Sequence, residues 1–209
     1  LRIPVPKPAE AARVLGIAFG LDAIASWSLA DREGNEISTG ALAPNAQIAS
    51  FLREKRGLEW DQAKGRWIGG HGFDAELATI AHTVTNRLIE LAREHGARLA
   101  VEDVSYVQKA SRDSVANVLF TAWNYGQLRR FLGYKAALAG QGEPLYASDY
   151  VTNLTCPACG AIRKQGENKE KATTWRENGS LRCRPCGAVT AMTGAIRARR
   201  VALHGVSFL

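Results

Sequence analysis

The sequence predicts a mixed α/β domain with a small four-cysteine module set into its C-terminal part. Three observations carry this: short apolar runs that suit strands, two long stretches with apolar residues at helical spacing, and a pair of Cys-x-x-Cys turns. The chain has 209 residues and is 46% hydrophobic, enough for one sizeable core and a small satellite.

The elements follow in order. Residues 1–13 read as a Pro-rich lead-in, and the start at Leu1 rather than Met suggests part of a longer or processed chain. Val14-Leu15-Gly16-Ile17-Ala18-Phe19-Gly20 is continuously apolar and reads as a buried strand. Residues 23–30 form a second strand, and Asp31-Arg32-Glu33-Gly34-Asn35 turns it back into a third at 36–39. A loop-rich insertion spans 40–73, where Trp60 and Trp67 lie among basic residues, a pattern suited equally to nucleic-acid stacking and to a solvated insertion. Asp74 is placed to cap a helix running to His95-Gly96, with Leu77, Ile80, Ala81, Val84, Leu88 and Leu91 along one face. An apolar strand at 98–104 then delivers Glu102 and Asp103 at its C-terminal end. A second helix is expected from about Asp113, with Val115, Val118, Leu119, Ala122, Tyr125, Leu128 and Leu132 facing inward, and a short strand at 144–149 follows.

The cysteines carry the sharpest chemistry. Cys156-Pro157-Ala158-Cys159-Gly160 and Cys183-Arg184-Pro185-Cys186-Gly187 are 23 residues apart and contain every cysteine in the chain. Each turn brings two sulfurs to one side, so the pair offers four thiolates to one tetrahedral Zn2+. Two disulfides, or a redox pair, are the alternatives. The glycine after each turn permits the left-handed backbone that aims amide hydrogens at sulfur.

The net charge of +7 is unevenly placed. Residues 1–150 carry 17 basic and 17 acidic side chains, whereas residues 151–209 carry 10 basic and 3 acidic. A basic excess on the metal module suits phosphate backbones, against the plainer reading of a solvated face. On the module, Arg163, Lys164, Lys169, Lys171, Arg176, Arg182 and Arg184 are the candidate phosphate contacts. Trp175 suits packing under the module's loop better than base stacking. Arg197, Arg199 and Arg200 suit either nucleic acid or the acids of the sheet. His71, His82, His95 and His204 lack any mutual spacing for a metal or an activated nucleophile. No apolar run approaches the ~18 residues of a membrane span and no signal peptide is visible, so a cytoplasmic protein with no membrane partner is expected.

Gly16-Ile17-Ala18-Phe19-Gly20, Val101-Glu102-Asp103 and the paired knuckles followed by Gly187 together resemble the split RuvC nuclease and inserted zinc ribbon of type V CRISPR effectors and TnpB-like transposon proteins. The resemblance runs from about residue 12 to 200. It implies an RNase H-like mixed sheet with flanking helices: a RuvC-like core over 1–150, a zinc ribbon over 151–187 and a third-motif tail over 188–209. It further implies guide RNA and target DNA as partners, an N-terminal recognition region elsewhere in the same protein, a role in antiviral defence, and a bacterial or archaeal cytoplasm.

In that family the first motif reads Gly-Ile-Asp-x-Gly, the second ends in Glu, and the third reads Asp-x-Asp-x-Asn-Ala-Ala after the last knuckle. The three acids hold two divalent ions that activate water and stabilise the leaving oxygen. Here Ala18 stands where the first Asp is expected, and Ala191 and Thr193 stand where the tail acids are expected. No Asp or Glu follows Glu177, so only Glu102 of the catalytic set remains. Asp22, Asp103 and Asp149 are remote substitutes. Mg2+ belongs here only if the active site is intact, because one carboxylate cannot hold two hard cations. A lone Ala18 looks like a deliberate inactivation, whereas an acid-free tail looks evolved.

The expectation is therefore a cleavage-defective, RNA-guided DNA-binding portion of such an effector. The alternatives are a metal-dependent endonuclease or guide-RNA processor with altered ligands, and a stand-alone zinc-ribbon regulator.

Overall fold

The computed structural model describes residues 10–19, 23–44, 59–61, 63, 66–68, 75–103, 125–148, 154–163, 172–177, 180–191 and 193–209. Its centre is a five-stranded mixed sheet in the order β3-β2-β1-β6-β7, built from β1 (Arg13–Phe19), β2 (Ala23–Asp31), β3 (Glu36–Pro44), β6 (Ala97–Asp103) and β7 (Leu145–Ser148). β1, β2 and β3 form an antiparallel meander. β6 and β7 join the other edge of β1 in parallel, because helical crossovers return the chain in the same direction. The turn at 31–35 is closed by Asp31, whose carboxylate accepts the Asn35 backbone N–H at 2.7 Å.

Three helices occur among the described residues: α1 (Ala75–Glu94), α2 (Tyr125–Leu138) and α3 (Gly194–Val206). α1 and α2 cover one face of the sheet. Their Ala81, Val84, Leu88, Leu91, Leu128, Phe131 and Leu132 close over Leu15, Ile17, Phe19, Leu99 and Val101. α3 covers the other face, with Val201 and Ala202 against Val14, Ala30, Ala100 and Ala147. The approach is close enough that a methyl on Gly16 would overlap the Ala198 carbonyl oxygen and the Ala202 amide nitrogen. Small residues on both sides let helix and sheet backbones meet, and this fixes the placement of every side chain on α3.

The remaining strands are β4 (Glu59–Asp61) paired with β5 (Arg66–Ile68), and a three-stranded sheet of β8 (Thr174–Glu177), β9 (Ser180–Cys183) and β10 (Val189–Ala191) in the order β10-β9-β8. No helix among the described residues is long and apolar enough to cross a membrane.

Several sequence expectations are corrected. The third strand runs to Pro44 rather than stopping at Thr39, since its edge position tolerates the mixed Gly-Ala-Leu-Ala sequence. The insertion at 40–73 includes the β4–β5 hairpin, with Trp60 opposite Trp67 in register. α2 continues past Leu132 to Leu138; its expected start near Asp113 and the Asp74 cap lie outside the described residues. The cysteine module's sheet takes in β10 beyond residue 187, and the tail is mostly the helix α3.

Candidate functional site

Strand parity decides which side chains share a face. On β1, Leu15, Ile17 and Phe19 face α1 and α2, so Val14, Gly16 and Ala18 face α3. On β6, Leu99 and Val101 belong to the first core, so Ala100 and Glu102 face α3. The strands run parallel with Ile17 beside Val101. One residue further, Ala18 and Glu102 lie side by side at the C-terminal ends of adjacent strands, the edge where open α/β sheets gather ligands. Ala18 pairs with Ser26 on its other side, and Gly194 at the start of α3 rests on the Ser26 side chain. The topology thus brings the first, second and third motif regions together.

Glu102 is 1% exposed. Its carboxylate is gripped by Arg197 from α3: the Arg197 Nε donates to Oε1 at 3.1 Å, and Nη2 donates to Oε2. Both oxygens are engaged by one planar fork, the strongest geometry available to a carboxylate and a guanidinium. Tyr125, at the start of α2, lies near this pair. Burial pushes its hydroxyl well above the ordinary phenol range, Arg197 opposes the rise and Glu102 adds to it. Asp103 points to the other face, as alternation requires, and accepts from Arg129 Nη1 at 3.0 Å. Arg129 also lies 3.9 Å over the Tyr146 ring. The last two strand residues therefore have one arginine each, from opposite helical layers.

Among the described residues, the donor set here does not fit a divalent cation of the Mg2+ kind. Such an ion needs several oxygen ligands. Ala18 is wholly buried and offers only a methyl group. Thr193 is the N-cap of α3, its hydroxyl accepting the Ile196 N–H at 3.3 Å. Ala191 ends β10 opposite Ser180 and is exposed. Among the described residues, the only cluster of three or more potential metal ligands is the four cysteines. Asp22 and Asp149 lie outside the described residues.

That cysteine cluster does fit an ion. The four sulfurs lie within 4.8 Å of one another, and the Cys156–Cys186 and Cys159–Cys183 pairs are both at 3.6 Å. A tetrahedral Zn2+ with bonds of about 2.3 Å places sulfurs roughly 3.8 Å apart, whereas a disulfide needs about 2.05 Å. Both knuckles have the same closure. The Cys156 N–H donates to the Ala161 carbonyl at 2.7 Å, and the Cys183 N–H donates to the Ala188 carbonyl at 2.9 Å. Gly160 and Gly187 hold left-handed φ values of 69° and 71°, as such turns require. A backbone N–H from Ala188 lowers the Cys186 thiol to about 7, while burial raises Cys183 to about 12.

The candidate phosphate contacts divide. Arg182 is ion-paired to Glu177 at 2.6 Å across the β8–β9 hairpin. Arg184 lies 5.4 Å over the Trp175 ring and donates from Nε to the Ala172 carbonyl at 3.4 Å, so Trp175 packs within the module. Arg163 is half-buried beside the first knuckle. Lys164, Lys169 and Lys171 lie outside the described residues, as does the side chain of Arg176. Arg199 reaches Glu36 at 4.0 Å and Arg200 is wholly buried, so all three tail arginines turn inward. His82 stacks on Phe131 at 4.0 Å and His204 meets Phe208 edge-on at 5.2 Å, both packing roles. Sequence reasoning missed Arg129; no local pattern marks a partner 26 residues away from Asp103.

No protein-family model matches the chain, and no curated protein matches it by sequence. Its fold is nevertheless found in solved structures. One, a Cas12f1–sgRNA–target DNA complex, superposes with a TM-score of 0.50 at 16% identity over 98% of this chain and 51% of that one. Another, a CRISPR-Cas12f ternary complex, gives 0.51 at 14% identity over 97% of this chain and 40% of that one. The chain thus shares its fold with part of each of these two chains, and spans about half of their length or less.

Proposed function

We propose that this chain is the RuvC-like and zinc-ribbon portion of an RNA-guided, type V effector-like DNA-binding protein that does not cut its target. The five-stranded sheet is read as RNase H-like, with the core over 1–150, the ribbon over 151–187 and the third-motif tail over 188–209. The observation that carries the reading is the buried Glu102–Arg197 pair beside Ala18. It occupies the sheet edge where nucleases of this fold assemble their acids, with a methyl group at Ala18 where the first aspartate is expected and a guanidinium on the carboxylate of Glu102.

Zinc in the four-cysteine site holds the ribbon's shape, since among the described residues its apolar core is Cys156, Leu181 and Cys183 with Ala161 and Ala188 beside them. Guide pairing reads the target, and the protein holds backbone and duplex shape. One of the solved neighbours is itself a complex with an sgRNA and target DNA, which supports nucleic acid as the partner here.

The test is a cleavage assay on single-stranded DNA with Mg2+ or Mn2+, comparing the chain with Glu102→Gln. Both are expected to leave the substrate intact, because losing metal-centred stabilisation of several kcal/mol slows a reaction by roughly a thousandfold or more. Mn2+-dependent cutting abolished by Glu102→Gln would overturn the reading in favour of an altered nuclease.

A further inference from the structure

A carboxylate as buried as Glu102 is stable only with a counter-charge and satisfied lone pairs. In a working nuclease site the divalent ions supply that charge. Here Arg197 supplies it, from the second turn of α3, while Arg197 itself retains only 18% side-chain exposure. Its placement is enforced by packing rather than by chance reach. Gly16 and Gly205 let α3 settle directly on β1 and β6, and Ala198, the residue after Arg197, is wholly buried there. The guanidinium therefore has little freedom to leave the carboxylate, and both Glu102 oxygens face it.

We propose that Arg197 is a built-in cation that takes over the charge-balancing role of the divalent ions, so that the folded chain neither needs nor admits them at Glu102. This rests on reading the sheet edge as a degenerate nuclease site. It adds that the missing acids and the arginine form a matched set, the signature of a sequence adapted to life without the metal rather than of one isolated replacement. Restoring an aspartate at position 18 alone leaves the guanidinium in place and restores nothing; both positions must change.

Thermal melting with and without Mn2+ tests this on five proteins: the unaltered chain, Arg197→Ala, Glu102→Gln/Arg197→Ala, Ala18→Asp, and Ala18→Asp/Arg197→Ala. The unaltered chain should melt at one temperature regardless of Mn2+. Arg197→Ala should melt roughly 10 °C lower, and adding Glu102→Gln should recover at least half of the loss by removing a buried charge that has lost its arginine. Ala18→Asp should show no Mn2+ response, while Ala18→Asp/Arg197→Ala should melt higher when Mn2+ is present. The proposal is overturned if Arg197→Ala melts within a few degrees of the unaltered chain, if the Glu102→Gln/Arg197→Ala protein recovers nothing, or if Ala18→Asp responds to Mn2+ as strongly as the protein that also lacks Arg197. Melting does not depend on cleavage, so failure of the cleavage-defective reading appears separately, in the DNA assay. Should Arg197→Ala fail to fold, the protein that also carries Glu102→Gln still reports whether loss of the arginine from the carboxylate is the cause.

Discussion

Single atoms decide this site. Ala18 and Glu102 are neighbours on one face, yet only Glu102 brings oxygen, and both of its oxygens are held by Arg197. Thr193 retains an oxygen, but spends it capping α3. Gly16 is equally specific, because it contributes by lacking atoms: a methyl there meets α3 backbone, which cannot rotate aside as a side chain can. Gly16→Ala is thus expected to lift α3 from the sheet and cost about 3 kcal/mol, the upper end of overpacking effects. At Gly205 a methyl meets Val14 Cγ1 at 2.7 Å, which can rotate, and Ala100 Cβ at 2.8 Å, which cannot, whereas at Gly16 it meets backbone closer still, so Gly205→Ala should cost somewhat less. Urea unfolding of the two variants checks the order; equal midpoints for Gly16→Ala and the unaltered chain would mean the helix packs more loosely than described. A smaller loss at Gly16 than at Gly205 would reverse the argument.

At the scale of elements, the cysteine module and the main sheet are stabilised by different means. The sheet has two apolar cores, one on each face. Among the described residues, the module's cluster shares no residue with either and is too small to fold by burial alone. Its stability must come mostly from metal ligation, which in isolated zinc modules contributes on the order of 10 kcal/mol. One zinc per chain is expected by elemental analysis, and Cys183→Ser should lose it and open the module to protease. The main melting transition should move by only a few degrees, and a collapse of the whole chain would show that the sheet needs the ribbon. The same contrast explains what the sequence disclosed. Strands β1, β2, β6 and β7 and helix α1 were legible because continuous apolar runs and a helical stripe are local signals. The cysteine site was legible because its spacing is local to each knuckle. Helix α3 was not, since its buried stripe of Ala198, Val201, Ala202 and Gly205 is mostly small and is crowded by Arg197, Arg199 and Arg200. The Arg197–Glu102 pair joins positions 95 residues apart, and only the register of α3 on the sheet creates it.

For the whole molecule, the relevant quantity is the charge left over for a polyanion. Residues 151–209 carry 10 basic side chains, which by count alone predicts a strongly cationic surface. The structure removes much of that excess from use: Arg182 pairs with Glu177, Arg197 with Glu102 and Arg199 with Glu36, and Arg200 is buried. Lys164, Lys169 and Lys171 lie outside the described residues and remain the phosphate contacts that the sequence alone proposes. Counterion release gives this a measurable form, because each phosphate contact contributes about 0.9 to the slope of log affinity against log salt. Replacing the three lysines by Gln should therefore flatten the slope for duplex DNA by up to about 2.7, and Arg182→Gln should leave it nearly unchanged. Fluorescence anisotropy between about 50 and 200 mM salt resolves the difference. If the lysine variant keeps the original slope while Arg182→Gln lowers it, the β8–β9 hairpin, freed from its internal pair, is the surface that meets nucleic acid. If neither slope changes, the excess charge at these positions serves solubility, and they are not the surface that grips the duplex.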